Sequence, residues 1–194
     1  FFGPHRIKSI LNGNSNDKLD ILVIGAEYTD YTDLKEEITS LTDLKGQSKN
    51  IGFFSIEPFK SLKNKFNIWM IKAPDIITTT NSCSESCSGA IDRQRIAEYE
   101  SVCPNVDQVI TIFKDAKFRS CAGGNHQWNS LSCQPDKVKG KLILHESGHA
   151  IGKLADEYEE PSKGSRPWGP NCADTLEEAQ SLWGDLVGVH NVGF

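Results

Sequence analysis

His145-Glu-Ser-Gly-His-Ala-Ile-Gly-Lys-Leu-Ala-Asp-Glu-Tyr158 is the stretch on which the reading of this chain turns. It contains H-E-x-x-H, two histidines four residues apart. On a helix, such residues are rotated by only about 40° and sit one turn above each other. His145 and His149 therefore face one side. That is how a helix offers two imidazoles to one zinc ion, with the acid between them, Glu146, placed to hold a water. Leu142-Ile143-Leu144 before the pair, and Ala150, Ile151 and Leu154 after it, are apolar enough to bury the helix. Two structural histidines on an amphipathic helix are the plainer alternative, and the residues downstream weigh against it.

Gly152 stands three residues past the second histidine, and the acidic pair Asp156-Glu157 follows shortly. A glycine in the left-handed conformation ends a helix and lets the chain double back. Gly152 is expected to do so and to bring a carboxylate to the open side of the metal. Three protein ligands plus an open position characterise catalytic zinc, whereas structural zinc closes with four Cys or His ligands. The cysteines here lie at no fixed short offset from the histidines. One Zn2+ is the expected cofactor. It would bring the pKa of a water to about 7 and polarise a carbonyl. Glu146 would take that water's proton and pass it to the leaving amine of a protein or peptide substrate.

Upstream, Asp20-Ile-Leu-Val-Ile-Gly25 reads as a strand buried on both faces. A helix is expected from Thr32, capped by Thr32 or Asp33, with Leu34, Ile38, Leu41 and Leu44 inward. Phe66-Asn-Ile-Trp-Met-Ile71 supplies a second strand and closes a β-α-β start. A short helical turn over 58–62 packs Phe59 and Phe66. Residues 73–90, rich in Pro, Thr, Ser and Gly, read as a surface loop stapled through Cys83 and Cys87. A short helix over 91–99 turns Ile91, Ile96 and Ala97 inward. Val106 to Phe113 is a third strand, and the Gly-rich 118–136 is an edge strand or rim loop. The histidine helix begins near Val138 or Lys139. A loop follows Tyr158, then a capped helix from Asp174 to Trp183. Strands and helices alternating ahead of a helix-borne site argue for an α/β or α+β fold.

A chain of 194 residues, 38% hydrophobic and 24% charged, suits one globular domain. The net charge of −5 leaves no basic footprint for nucleic acid or an anionic membrane surface. No apolar run approaches the roughly 20 residues of a transmembrane helix. The sequence lacks a starting Met, and Phe1-Phe-Gly-Pro is no signal peptide, so a removed leader or an incomplete sequence is expected. The six cysteines fall in loop-like surroundings without a C-x-x-C pair. They predict up to three disulfides and a secreted, periplasmic or cell-surface location.

H-E-S-G-H-A-I-G-K-L-A-D-E-Y resembles the IgA-peptidase family of zinc metallopeptidases, in the metzincin-like clan. Two further stretches fit in order, Asn14 to Thr29 as the first strand with its following Tyr-Thr, and Pro58 to Trp69 as a Pro-Phe…Phe-Asn segment. The resemblance spans roughly residues 12 to 160. It implies a metzincin-like zinc-peptidase domain, with a mixed twisted sheet packed on helices and a cleft across the active-site helix. One catalytic domain, 1–194, would have an upper lobe of about 12–153 and a short or incomplete lower lobe of about 154–194. His145 and His149 would be ligands and Glu146 the general base. The common metzincin pattern places the third ligand six residues past the second histidine, which here is Ala155. Asp156 matches the family's Asp-Glu-Tyr and is the expected ligand, with Glu157 as runner-up. A different zinc-peptidase type would use Glu177 or Glu178. Gly123, Gly124 and His126, in a Gly-rich stretch of the kind that pairs with extended substrate, and Tyr158 are candidates for the cleft. Metzincins carry a methionine turn after the helix, whereas the one methionine here is Met70.

Two functions of different classes follow. The first is a secreted zinc endopeptidase. The second is a non-catalytic extracellular adhesion or assembly module that keeps a zinc-peptidase fold.

Overall fold

The run from Asp20 to Gly25 has no polar alternation, and in the computed structural model it lies at the middle of a sheet, covered on both faces. The structure describes residues 6–48, 50–78, 80–103, 105–156, 169–173 and 175–186. Two compact units divide the chain, Phe1–Ile151 and Gly152–Phe194.

The first unit is mixed α/β. Its strands are β1 (Lys8–Leu11), β2 (Leu19–Ala26), β3 (Phe66–Ala73), β4 (Asn81–Ser86), β5 (Gln108–Phe113), β6 (Lys117–Arg119), β7 (Cys121–Gly123) and β8 (His126–Ser130). Its helices are α1 (Tyr31–Thr42), α2 (Cys87–Ala90), α3 (Arg93–Glu100) and α4 (Asp136–Ala150). Six strands form one sheet in the order β1-β3-β2-β5-β8-β7. The inner four run parallel, while β1 and β7 lie antiparallel at the edges. β4 and β6 form a separate parallel pair.

Side chains alternate across a strand, so β2 feeds two cores. Ile21 and Val23 join Leu34, Ile38 and Leu41 of α1, the aromatics Phe53, Phe54 and Phe66, and Ile143 of α4. Leu22 and Ile24 join Val109, Phe113, Phe118 and Trp128, with Ile96 and Tyr99 of α3. Burying each such aliphatic or aromatic side chain contributes about 1.5–3 kcal/mol. The faces therefore belong to different helices, α1 and α4 on one and α3 on the other.

Several expectations are corrected at the ends of elements. α1 is capped by Asp30, not Thr32 or Asp33. Asp30 is extended, and its carboxylate accepts from the Thr32 amide at 3.0 Å. Leu44 falls beyond the helix but still packs against the core. α3 buries Tyr99 where Ala97 was expected, and Ala97 is exposed. The predicted turn is present: the Lys60 and Leu62 amides donate to the Ile56 and Pro58 carbonyls, and the Phe59 ring lies 4.3 Å from that of Phe53.

The stapled segment is more ordered than a loop, since it contains β4 and α2. Cys83 pairs with Cys133, just ahead of α4, and Cys87 pairs with Cys121 of β7. Cys103 and Cys172 are thiols, so the described residues hold two disulfides, within the expected limit of three.

In the second unit, α5 (Leu176–Trp183) is capped by Thr175, whose hydroxyl accepts from the Glu178 amide at 3.1 Å. No helix among the described residues is long and apolar enough to cross a membrane.

Candidate metal centre

Pro135 occupies the N-cap position of α4 with φ −60° and ψ 144°. A proline lacks the amide that a helix interior needs but is tolerated where that amide has no partner. The helix therefore starts at Asp136, earlier than Val138 or Lys139. Gly140, Ile143, Ser147 and Ala150 recur every three or four residues and are buried, forming the stripe that meets the sheet. α4 lies against β7 and β8, and also against α1. At Gly140 the approach is closest. A Cβ there would stand 2.2 Å from the Ile51 carbonyl oxygen and 3.0 Å from that of Leu41, so only glycine fits.

The two histidines converge. Nε2 of His145 and Nε2 of His149 are 3.3 Å apart, with the rings nearly perpendicular at 83°. His145 is exposed, His149 is half-buried, and Glu146 between them is only 4% exposed. At that distance one Nε2 can donate a proton to the other, or, with protons on both Nδ1 atoms, both can serve as acceptors for one ion. Two imidazoles held tetrahedrally by zinc at about 2.0–2.1 Å have nitrogens about 3.3 Å apart. The observed separation fits that edge. The pair therefore suits zinc on its own geometry.

Past the helix, the turn differs from the expectation in one residue. Ile151 is still right-handed, and its amide donates to the Ser147 carbonyl at 2.8 Å. The left-handed residue is Lys153, with φ 54°, and not Gly152. Ala155 is then held on both sides of its peptide: its amide donates to Asn171 Oδ1 at 2.8 Å and its carbonyl accepts from Asn171 Nδ2 at 2.9 Å. This clamp fixes the backbone immediately before Asp156. Sequence reasoning missed Asn171, because nothing in Gly-Pro-Asn-Cys marks it out. His145 and His149 belong to the first unit, and Asp156, the expected third ligand, belongs to the second. Glu177 and Glu178 lie in the first turn of α5, in the second unit. Glu157 and Tyr158 lie outside the described residues.

The other candidates are placed elsewhere. Gly123 ends β7 opposite His126, and Gly124, at φ 64°, starts the two-residue turn between them. Such a turn needs a positive φ at that position, which is why glycine stands there. His126 does not join the α4 histidines. Its strand partner is Val109, whose side chain lies in the α3 core, so it points to the opposite face. There Nε2 meets Glu100 Oε2 at 2.9 Å, and the ring stacks on Trp128. Met70 is a core residue of β3.

The chain matches no protein-family model and no curated protein sequence.

Proposed function

We propose that the chain is a zinc-dependent endopeptidase of the IgA-peptidase type, built on a metzincin-like domain. The observation that carries this reading is the 3.3 Å separation of the two Nε2 atoms on one face of α4, which matches the edge of a tetrahedral zinc site. On the sequence pattern, the third ligand of this reading is Asp156, one residue beyond the usual metzincin position. The mixed sheet with an antiparallel edge strand beside α4 supports the same reading.

Zinc bound there would polarise the scissile carbonyl and acidify a water. The residues of this chain do the rest. Glu146, shielded from bulk solvent at 4% exposure, takes the proton of the attacking water and delivers it to the departing amine. His145 and His149 offer their Nε2 atoms from one face of α4, a helix that packs closely at Gly140. The two disulfides support placing the enzyme outside the cytoplasm.

The test is cleavage of denatured casein by the zinc-loaded protein, with and without a chelator, beside Glu146→Gln. Activity that needs metal and disappears in the variant is expected. Chelator-insensitive cleavage, or full activity in the variant, overturns the catalytic reading. A metal-loaded but inert wild-type protein points instead to the non-catalytic extracellular module.

A further inference from the structure

The interface between α4 and the sheet is not the apolar seam that its surroundings would lead one to expect. On this face β5 contributes Ile110 and Ile112 to the core, but Gln108 precedes them, and β8 presents Gln127 and Asn129. These three side chains and Ser147 of α4 are between 0% and 1% exposed. They are bonded in series. Asn129 Nδ2 donates to Gln127 Oε1 at 3.0 Å, and Gln127 Nε2 donates to Ser147 Oγ at 2.7 Å. Gln108 Nε2 reaches the same hydroxyl at 3.5 Å. Gln108 Oε1 and Asn129 Oδ1 have no partner among the described residues. Turning the Gln108 amide over leaves its shape unchanged and lets the Ser147 hydroxyl donate to Oε1. The series then runs in one direction, from Asn129 through Gln127 and Ser147 to Gln108.

We propose that Ser147 is a positioning residue: with Gln127, Gln108 and Asn129 it forms a buried latch that sets the rotation of α4 on the sheet. That rotation sets the direction in which His145, Glu146 and His149 point. The functional meaning of the latch rests on the zinc-peptidase reading.

Magnitudes favour this role over a merely space-filling one. Of the other buried residues of α4, Gly140, Ile143, Glu146 and Ala150, only Ile143 is a large apolar side chain, and apolar contact is non-directional. A side-chain tip about 5–6 Å from the helix axis moves about 2 Å when the helix turns by about 20°. Displacements of about 1 Å at a catalytic group can cost about 100-fold in rate. Turning α4 would break the Gln127–Ser147 bond between two fully buried side chains, and an unsatisfied buried polar group costs about 1–3 kcal/mol. Aliphatic residues at 127 and 129 would fill the same space without amides to desolvate. The polar set gives direction at the expense of stability.

The experiment uses the whole chain with Ser147→Ala, Gln127→Met and the double variant, and cobalt(II) alone as the metal probe. Three quantities are read: cobalt affinity, the cobalt absorption spectrum, and amide hydrogen exchange over residues 143–150. Each single variant should stay folded and bind cobalt about 10–100-fold more weakly, with an altered spectrum and faster exchange in that segment. The double variant should be no worse than the weaker single one, because both remove the same bond. Wild-type affinity and wild-type exchange in Ser147→Ala overturn the latch. A wild-type protein that takes up no cobalt or zinc sinks the zinc reading alone. Exchange then decides the latch: faster exchange in the single variants upholds it, and unchanged protection overturns it.

Discussion

The two faces of the sheet both hold histidines, and the histidines do different things. On the α3 face, His126 is stacked on Trp128 and bonded to Glu100, which leaves its ring committed to structure. On the α4 face, His145 and His149 turn their Nε2 atoms to each other at 3.3 Å. The α3 face is also where Arg95, Asp75, Glu98 and Tyr99 form a bonded cluster and where Arg93 lies over the Trp128 ring. The α4 face has instead an unusually polar floor and a helix held at very close range. A histidine is thus read by what its nitrogens meet: the same residue type is tied into the fold on one face and is the proposed metal ligand on the other.

The largest effect expected is on the α4 face. Glu146→Gln should lower peptide cleavage by about 10²–10⁴-fold with zinc content and fold retained, as read from steady-state rates and metal analysis. His149→Ala should remove the metal outright, while His126→Ala leaves zinc content unchanged and costs about 1 kcal/mol of stability from its lost bond. Atomic emission on the purified variants checks the pair, and equal metal loss in both would erase the contrast between the faces. Gly140→Ala should destabilise the fold by about 1–3 kcal/mol, because the added methyl overpacks against the Ile51 carbonyl. Denaturant unfolding measures it, and a neutral result would mean that α4 is not held at that range.

The smallest effect is on the α3 face and depends on pH. Burial pushes the Asp75 carboxyl up, but the hydrogen bonds from Tyr99 and Arg95 outweigh it and hold the group below the usual range. A depressed folded value means that the stability is present above the unfolded carboxylate value and is lost as pH falls through the folded one. Asp75→Asn should therefore cost on the order of 1 kcal/mol at neutral pH and progressively less in acid. Thermal midpoints across pH test this. A constant difference would show that Asp75 acts through packing and not charge.

Much of this contrast could not be read from the sequence, for reasons that differ residue by residue. Gln127 and Ser147 are 20 positions apart, and His126 and Glu100 are 26 apart. Nothing local connects either pair. The disulfide partners Cys83 and Cys133 are separated by 50 positions, so the cysteine count led to an expectation of disulfides but not to their pairing. Gly152 was a sound choice for the turn by conformational cost, yet Lys153 takes the positive φ.

The sequence by itself determined the parts whose physics is local. Apolar runs made β2, β3 and β5, helical periodicity made α1, and a four-residue spacing placed His145 above His149. Those depend on contacts along a single strand or helix, which residue order encodes directly. Only the tertiary structure decided which face each histidine occupies, that a row of amides lies beneath α4, and that Gly140 lets the helix come so close. These depend on side chains brought together from distant segments, where the sheet order β1-β3-β2-β5-β8-β7 sets who meets whom.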